Sequence, residues 1–405
     1  MSADVLTESE LAERGGTTVE RLKQLVELGI VRSADGGFRR RDVMVVRVVE
    51  MLEAKGIDAG SVAEALGTGD LSLGYLESAG RRHPRSDTTS EQLAGELGIE
   101  FEMLERLYVA FGLPPPSREE LVRSEDLEAL GMLPVLRSVG VPEGEVLRLA
   151  RVWGDAARKV AQYQSHYMHH SIEEQYRRRG MRDNEAFEAA IAEVGMRAGR
   201  SGEEMLSWLL RRHAEAFLTE HQFEHVEVAL EQAGVRRRPA KSVGAIVFAD
   251  LTGYTRLTEE AGDEAAARTS LELAELVKEV AVRHRGEVVK MLGDGVCFHF
   301  AHPSNAVLAS LEIVASVGPR GLPPAHIGVN AGPVIYDEGD YFGRTVNIAA
   351  RIASEAGPEE VLVGEPVVSI GAGEGVGFEE RGTAVLKGIA DPVPLFRAVV
   401  REPGA

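Results

Sequence analysis

The chain has 405 residues, 44% of them apolar, and a net charge of −19. That is room for two or three globular domains, too apolar for a disordered chain and without the run of roughly 20 apolar residues that spans a bilayer. The acidic balance also excludes broad, non-specific attraction to nucleic acid or anionic lipid, although a local basic patch escapes that argument.

Met1-Ser2-Ala3-Asp4 has neither the basic nor the apolar stretch of a signal peptide, and the one cysteine, Cys297, has no internal disulfide partner. Together these predict a cytoplasmic chain with no membrane segment. Residues 1–68 read as short helices followed by a turn-rich basic segment. Thr7-Glu8-Ser9-Glu10 and Thr17-Thr18-Val19-Glu20 each have the spacing of a capping box, with Gly15-Gly16 between the two helices and Gly29 closing the second. Asp35-Gly36-Gly37 signals a hairpin turn into Phe38-Arg39-Arg40-Arg41, and a further helix is predicted over about Val43–Lys55.

Residues 88–150 repeat this pattern in degenerate form: Leu11-Ala12 maps on Leu93-Ala94, Gly16 on Gly98, Leu22 on Leu104 and Leu25 on Leu107. Arg81-Arg82-His83-Pro84-Arg85-Ser86 reads as the linker between the copies, and Pro114-Pro115-Pro116 stands where the second copy would have its basic segment. From 151 to 235 the chain is helical in character, with one long helix predicted over Glu204–Ala233, ended by Gly234 and broken by Arg236-Arg237-Arg238-Pro239. Tyr163, Tyr167, Met168 and Phe217 read as core ahead of the alternative, the lining of an apolar ligand pocket. From Lys241 onward strands and helices alternate, the clearest domain boundary in the chain.

Ala245–Asp250 is an apolar strand ending in a carboxylate. Glu287–Leu292, Gly293-Asp294-Gly295 and Val296–Phe300 form a hairpin with a second carboxylate at its tip. Two carboxylates so presented suit a pair of hard cations, which prefer oxygen ligands and triphosphate. Asn347 and Arg351, four apart on a predicted helix, project from one face. A guanidinium fork beside an amide suits a phosphoryl group gaining charge in a transition state.

Phe248-Ala249-Asp250-Leu251-Thr252-Gly253-Tyr254-Thr255, Lys290–Gly295 and Asp340–Arg351 resemble, in order and spacing, the successive motifs of class III nucleotidyl cyclases, and Leu386–Val393 resembles that family's ending. The resemblance spans about residues 242–400. It implies an α+β, ferredoxin-like catalytic domain that makes cyclic AMP and pyrophosphate from ATP as a head-to-tail homodimer. Asp250 and Asp294 would hold two Mg2+ or Mn2+ ions per site, Asn347 would orient the ribose, and Arg351 would stabilise the transition state. Lys290 and Asp340 fall at the purine-reading positions: lysine donates to adenine N1 and aspartate accepts from its 6-amino group, whereas guanine presents the reverse pattern. Lys387 would contact phosphate.

In front of it, residues 6–43 resemble the winged helix-turn-helix of MerR-type regulators, with residues 18–28 as the major-groove helix. That helix mixes Glu20 and Glu27 with Arg21 and Lys23, which weakens phosphate attraction. The expected organisation is therefore an all-α region, with a winged helix-turn-helix over 1–68 and a helical regulatory and dimerisation domain over 86–235, ahead of a catalytic domain over 241–400. Residues 88–235 are similar in layout to the regulatory domain of pH-sensing bacterial class III cyclases. His166, His169, His170, His213, His221 and His225 fall there, open to a pH switch, a metal site or ordinary surface roles. The alternative function is a nucleotide-sensing, DNA-binding transcription regulator with a cyclase-like domain.

Overall fold

The computed structural model describes residues 5–33, 36–73, 85–235, 244–371 and 375–401. Two compact units divide the chain, Met1–Leu218 and Thr219–Ala405. Asp35, linker residues 81–84 and the Arg236–Pro239 break lie outside the described residues, as does Lys241.

The first unit opens with β1 (Val5–Leu6), α1 (Glu8–Gly15), α2 (Val19–Glu27), β2 (Phe38–Arg39), α3 (Arg40–Ala54) and α4 (Ala59–Thr68). Thr7 caps α1 in a full capping box. For α2 the cap is Thr18, not Thr17: Thr18 is extended and accepts the Arg21 N–H, while the Thr17 hydroxyl turns to Glu50. Helix α3 begins three residues earlier than the apolar pattern predicts, because the Asp42 carboxylate accepts the Arg39 N–H at 2.7 Å and holds the first turn. Leu11, Leu22, Leu25, Val46 and Val49 form the core of this part.

The same order then recurs: β3 (Arg85–Thr89), α5 (Ser90–Glu96), α6 (Phe101–Ala110), β4 (Leu121–Arg123), α7 (Asp126–Leu130) and α8 (Met132–Ser138). Its core uses Leu93, Leu104 and Leu107, the positions that map on Leu11, Leu22 and Leu25. The front region is thus not all-α. In each copy the extended segment before the first helix pairs antiparallel with the segment after the second, β1 with β2 and β3 with β4. These ribbons are too short for an alternation pattern to announce them.

Helix α9 (Glu143–Tyr167) passes through a π turn (Met168–Ile172) into α10 (Glu173–Arg178), followed by α11 (Asp183–Ala190), a second π turn and α12 (Met196–Gln232). Helix α12 is 37 residues long and begins eight residues earlier than predicted. Tyr163, Tyr167 and Phe217 are not core: they are 70%, 51% and 61% exposed in the single chain.

The second unit is built on a seven-stranded sheet. Its elements are β5 (Ala245–Leu251), α13 (Tyr254–Ala261), α14 (Asp263–Arg283), β6 (Gly286–Leu292), β7 (Gly295–Phe300), α15 (Pro303–Val317), β8 (Ala325–Ala331), β9 (Ile335–Asp337), β10 (Asp340–Phe342), α16 (Arg344–Glu355), β11 (Val361–Gly364), α17 (Glu365–Ile370), β12 (Val376–Ala384) and β13 (Val393–Val400). The sheet order is β12-β13-β11-β8-β5-β7-β6. Its β8-β5-β7-β6 half is antiparallel and connected β-α-β-β-α-β, the ferredoxin-like arrangement, and β11 adds to β8 in parallel. One face packs on α14 and α15 through Val247, Phe298, Leu273 and Ile313. On the other, Ile246, Cys297 and Ala349 seat α16, and Ile352 packs on Leu362 and Leu395. Gly328 makes this seat possible, since a Cβ there would stand 2.1 Å from the Ala353 nitrogen.

Candidate active site

Asp250 is the penultimate residue of β5 and pairs in register with Gly295, the first residue of β7. Asp294 occupies the turn just before it, where Gly293 at φ 77 lets the chain reverse between β6 and β7. Sheet register therefore brings the two carboxylates to one edge, both half-buried. Burial raises the Asp250 pKa, and the neighbouring Asp294 charge raises it further. The His326 charge and the Leu251 N–H, bonded at 3.0 Å, oppose that shift. A half-buried Asp250 carboxylate whose ionisation is disfavoured by burial and by the Asp294 charge beside it is a donor that a hard divalent cation relieves.

His326 was not legible as a site residue. It pairs opposite Asp250 across β5 and β8, with Nε2 4.0 Å from Oδ2, and its Nδ1 lies 3.2 Å from the Thr252 hydroxyl. Only the strand pairing brings it there. Asp250, Gly295 and His326 line a cleft of about 120 Å³ with Ala350, Ala353 and Ser354 of α16.

Lys290 projects from β6 and meets Asp340, the first residue of β10, with Nζ 2.5 Å from Oδ2. Both are partly exposed, at 39% and 29%. The other Asp340 oxygen accepts the Tyr341 N–H at 2.8 Å, which fixes the carboxylate plane. Tyr341 is itself held: its hydroxyl donates to Glu287, whose carboxylate also binds His299 at 3.1 Å, and its ring stacks on His299 at 4.2 Å. The His299 hydrogen bond, assisted by Tyr341, keeps the Glu287 carboxyl below its ordinary pKa. Beneath the pair, burial pushes the Cys297 thiol up to about 12. This supporting network also went unread, because each of its members looks like an ordinary strand residue.

Helix α16 buries Thr345, Ala349, Ile352 and Ala353 and turns Asn347 and Arg351 outward one turn apart, both exposed. Among the described residues neither is bonded to the aspartates or to the Lys290–Asp340 pair. Lys387 is exposed in the turn after β12. One copy of the chain thus brings together Asp250 with Asp294 and Lys290 with Asp340, and leaves Asn347, Arg351 and Lys387 facing solvent.

Residues 236–396 match the family model described as the adenylate and guanylate cyclase catalytic domain. The chain is 33% identical to "Putative adenylate cyclase 3" of Rhizobium meliloti over 177 residues, which is 41% of this chain and 29% of that protein. It is 26% identical to "pH-sensitive adenylate cyclase MT1302" of Mycobacterium tuberculosis over 319 residues, covering 76% of this chain and 77% of the other. The crystal structure of the adenylyl cyclase CyaB from P. aeruginosa superposes with a TM-score of 0.36 at 20% identity, covering 40% of this chain and 95% of that one. Among the described residues no helix is long and apolar enough to cross a membrane. Over residues 236–396 the chain thus matches the adenylate and guanylate cyclase catalytic domain.

Proposed function

We propose that the chain is an adenylyl cyclase that converts ATP to 3′,5′-cyclic AMP and pyrophosphate at sites shared between two head-to-tail copies. The observation that carries this reading is the Lys290–Asp340 pair, 2.5 Å apart and braced by Tyr341, within the same unit as the Asp250–Asp294 carboxylates. An ammonium beside a carboxylate matches the acceptor at adenine N1 and the donor at its 6-amino group. Guanine would set two donors and two acceptors against each other.

Asp250 and Asp294 would hold Mg2+ or Mn2+, two ions per site, which when bound lower the pKa of the ribose 3′-hydroxyl and offset the triphosphate charge. Arg351 donates its guanidinium fork to the α-phosphate oxygens as they gain charge, and Asn347 holds the ribose so that the hydroxyl stands in line with the departing pyrophosphate. Lys387 adds charge toward the phosphates. Because Asn347 and Arg351 face outward, they are free to complete the partner's site while the partner completes this one. Catalysis is then positioning and electrostatics, and depends on how the two copies are set.

The front region would be regulatory, responding to pH or a small ligand through the relative placement of the two catalytic domains, with the long helix α12 as the connecting element. Support comes from the pH-sensitive adenylate cyclase whose likeness extends over 76% of this chain. The test is cyclic nucleotide formation by the purified chain with ATP or GTP, with Mg2+ or Mn2+, from roughly pH 5.5 to 8. Cyclic AMP from ATP alone is expected. No product from the full chain or from residues 236–405, together with salt-sensitive binding to specific DNA, would favour the transcription regulator instead.

A further inference from the structure

Two histidines of the second unit have no part in the cyclase chemistry. His221 and His225 lie four residues apart on α12, both exposed, so their rings rise from one face on successive turns. The Nε2 atoms stand 3.0 Å apart, with ring centroids at 4.5 Å and planes at 82°. At that separation the nitrogens share a proton, one imidazole donating and the other accepting. In the tautomer that puts both N–H groups on Nδ1, each Nε2 keeps a lone pair, and two such donors 3.0 Å apart on one helix face can bind a single ion.

We propose that His221 and His225 form a binding site for a transition-metal dication, with water completing the coordination. Imidazole nitrogen is a borderline ligand that selects Cu2+, Ni2+ and Zn2+ over Mg2+ and Ca2+, so this site does not compete for the ions of the cyclase centre. The spacing also ranks the candidates. An ion about 2.0–2.1 Å from both nitrogens 3.0 Å apart subtends an angle of about 90–100°. Two cis positions of a tetragonal or octahedral ion have that angle, which suits Cu2+ and Ni2+. A tetrahedral zinc would need the nitrogens about 3.4 Å apart, a small ring rotation away. Helix α12 holds both backbones already in place, so the second nitrogen binds as an intramolecular step and little ordering is left to the ion. An occupied site clamps one turn of the helix that leads toward the catalytic domain.

The experiment titrates the full-length protein with Cu2+, Ni2+ and Zn2+ at pH 7.5 and compares it with His221→Ala/His225→Ala. Alanine is the strongest helix former and both positions are exposed, so α12 persists in the variant, which far-ultraviolet circular dichroism checks. Nine other histidines could bind ions elsewhere, so the readout is residue-specific: modification of each histidine by diethyl pyrocarbonate, mapped by mass spectrometry with and without Ni2+. Expected are protection of His221 and His225 together, loss of one equivalent of Ni2+ in the variant, and affinity at least about tenfold weaker in either single variant. Copper should show two equatorial nitrogens in its paramagnetic resonance spectrum and bind ahead of nickel, and nickel ahead of zinc. The same number of ions bound with the same affinity in the double variant would overturn the proposal. So would modification of the two rings at an unchanged rate in excess Ni2+.

Discussion

Replacing Gly328 by alanine should loosen the helix that carries Asn347 and Arg351 without touching either residue. A Cβ at this position in β8 would meet the Ala353 nitrogen at 2.1 Å, and the Ala349 oxygen and Ala353 Cα at 2.6 Å. All three are backbone atoms of α16, so no rotamer change can relieve the clash; the helix must lift by about an ångström. Lifting it opens gaps around Ala349 and Ile352 on its own buried face and around Cys297 of the sheet beneath, all three fully buried. Overpacking of this kind costs about 1–3 kcal/mol, and backbone opposition favours the upper end. For a unit of this size each kcal/mol lowers the midpoint by about 2–4 °C, so a drop of roughly 6–12 °C is expected. Activity should fall further than stability, by about 100-fold, because Asn347 and Arg351, the proposed ribose and transition-state donors, move with the helix. Thermal unfolding followed by circular dichroism, with cyclic AMP formation measured well below the variant's midpoint, separates the two effects. Gly318→Ala is the control: its backbone is helical, nothing lies within 4 Å of the added carbon, and a change within about 1 kcal/mol is expected. A Gly328→Ala protein that melts and turns over like the parent would refute this account of how α16 is seated.

If each site draws its aspartates from one copy and Arg351 from the other, Asp250→Asn and Arg351→Ala should each be inactive alone. Mixed and allowed to exchange, they should recover about a quarter of the parent activity, since half the dimers then hold one intact site of two; no recovery would argue against shared sites. Cys297 is buried with its thiol pushed up to about 12, so it stays protonated at pH 8. Ellman's reagent should find no reactive thiol in the folded chain and one in denaturant, and rapid native reaction would contradict the packing beneath the Lys290–Asp340 pair. Glu287 has a lowered pKa, so its contribution to stability is present above the ordinary carboxylate value near 4.3 and is lost as pH falls through the lower folded value. Glu287→Gln should therefore be less stable than the parent at pH 7 and converge with it in acid; a gap independent of pH would mean that the His299 and Tyr341 bonds do not stabilise the charged form.

Local chemistry was readable from residue order alone. Thr7 caps a helix because its hydroxyl accepts the Glu10 N–H while the Glu10 carboxylate accepts the Thr7 N–H, and that requires nothing distant. The strand ending at Asp250, the turn at Gly293-Asp294 and the helix over Asn347 and Arg351 follow from apolar runs, a tight reversal and helical spacing, each set by neighbours in sequence. The leucines of the two front copies were equally visible, because a repeated core repeats its residues.

Sequence alone could not specify what depends on strand register or on close approach between distant segments. Lys290 and Asp340 are 50 residues apart, and their ion pair exists because β10 folds back over β6. His326 reaches Asp250 only through the alignment of β8 with β5, and a one-residue slip would turn it to the other face. Gly328 reads as an ordinary strand glycine until α16 is laid across it. The ribbons of the front region, two to five residues a strand, are likewise stabilised by partners some 30 positions away. Such contacts are set by the free energy of burying a shared core, which residue order encodes only through the finished fold. For the same reason Tyr163 and Phe217, apolar enough to read as core, stand exposed: an apolar side chain is buried only where a second surface meets it.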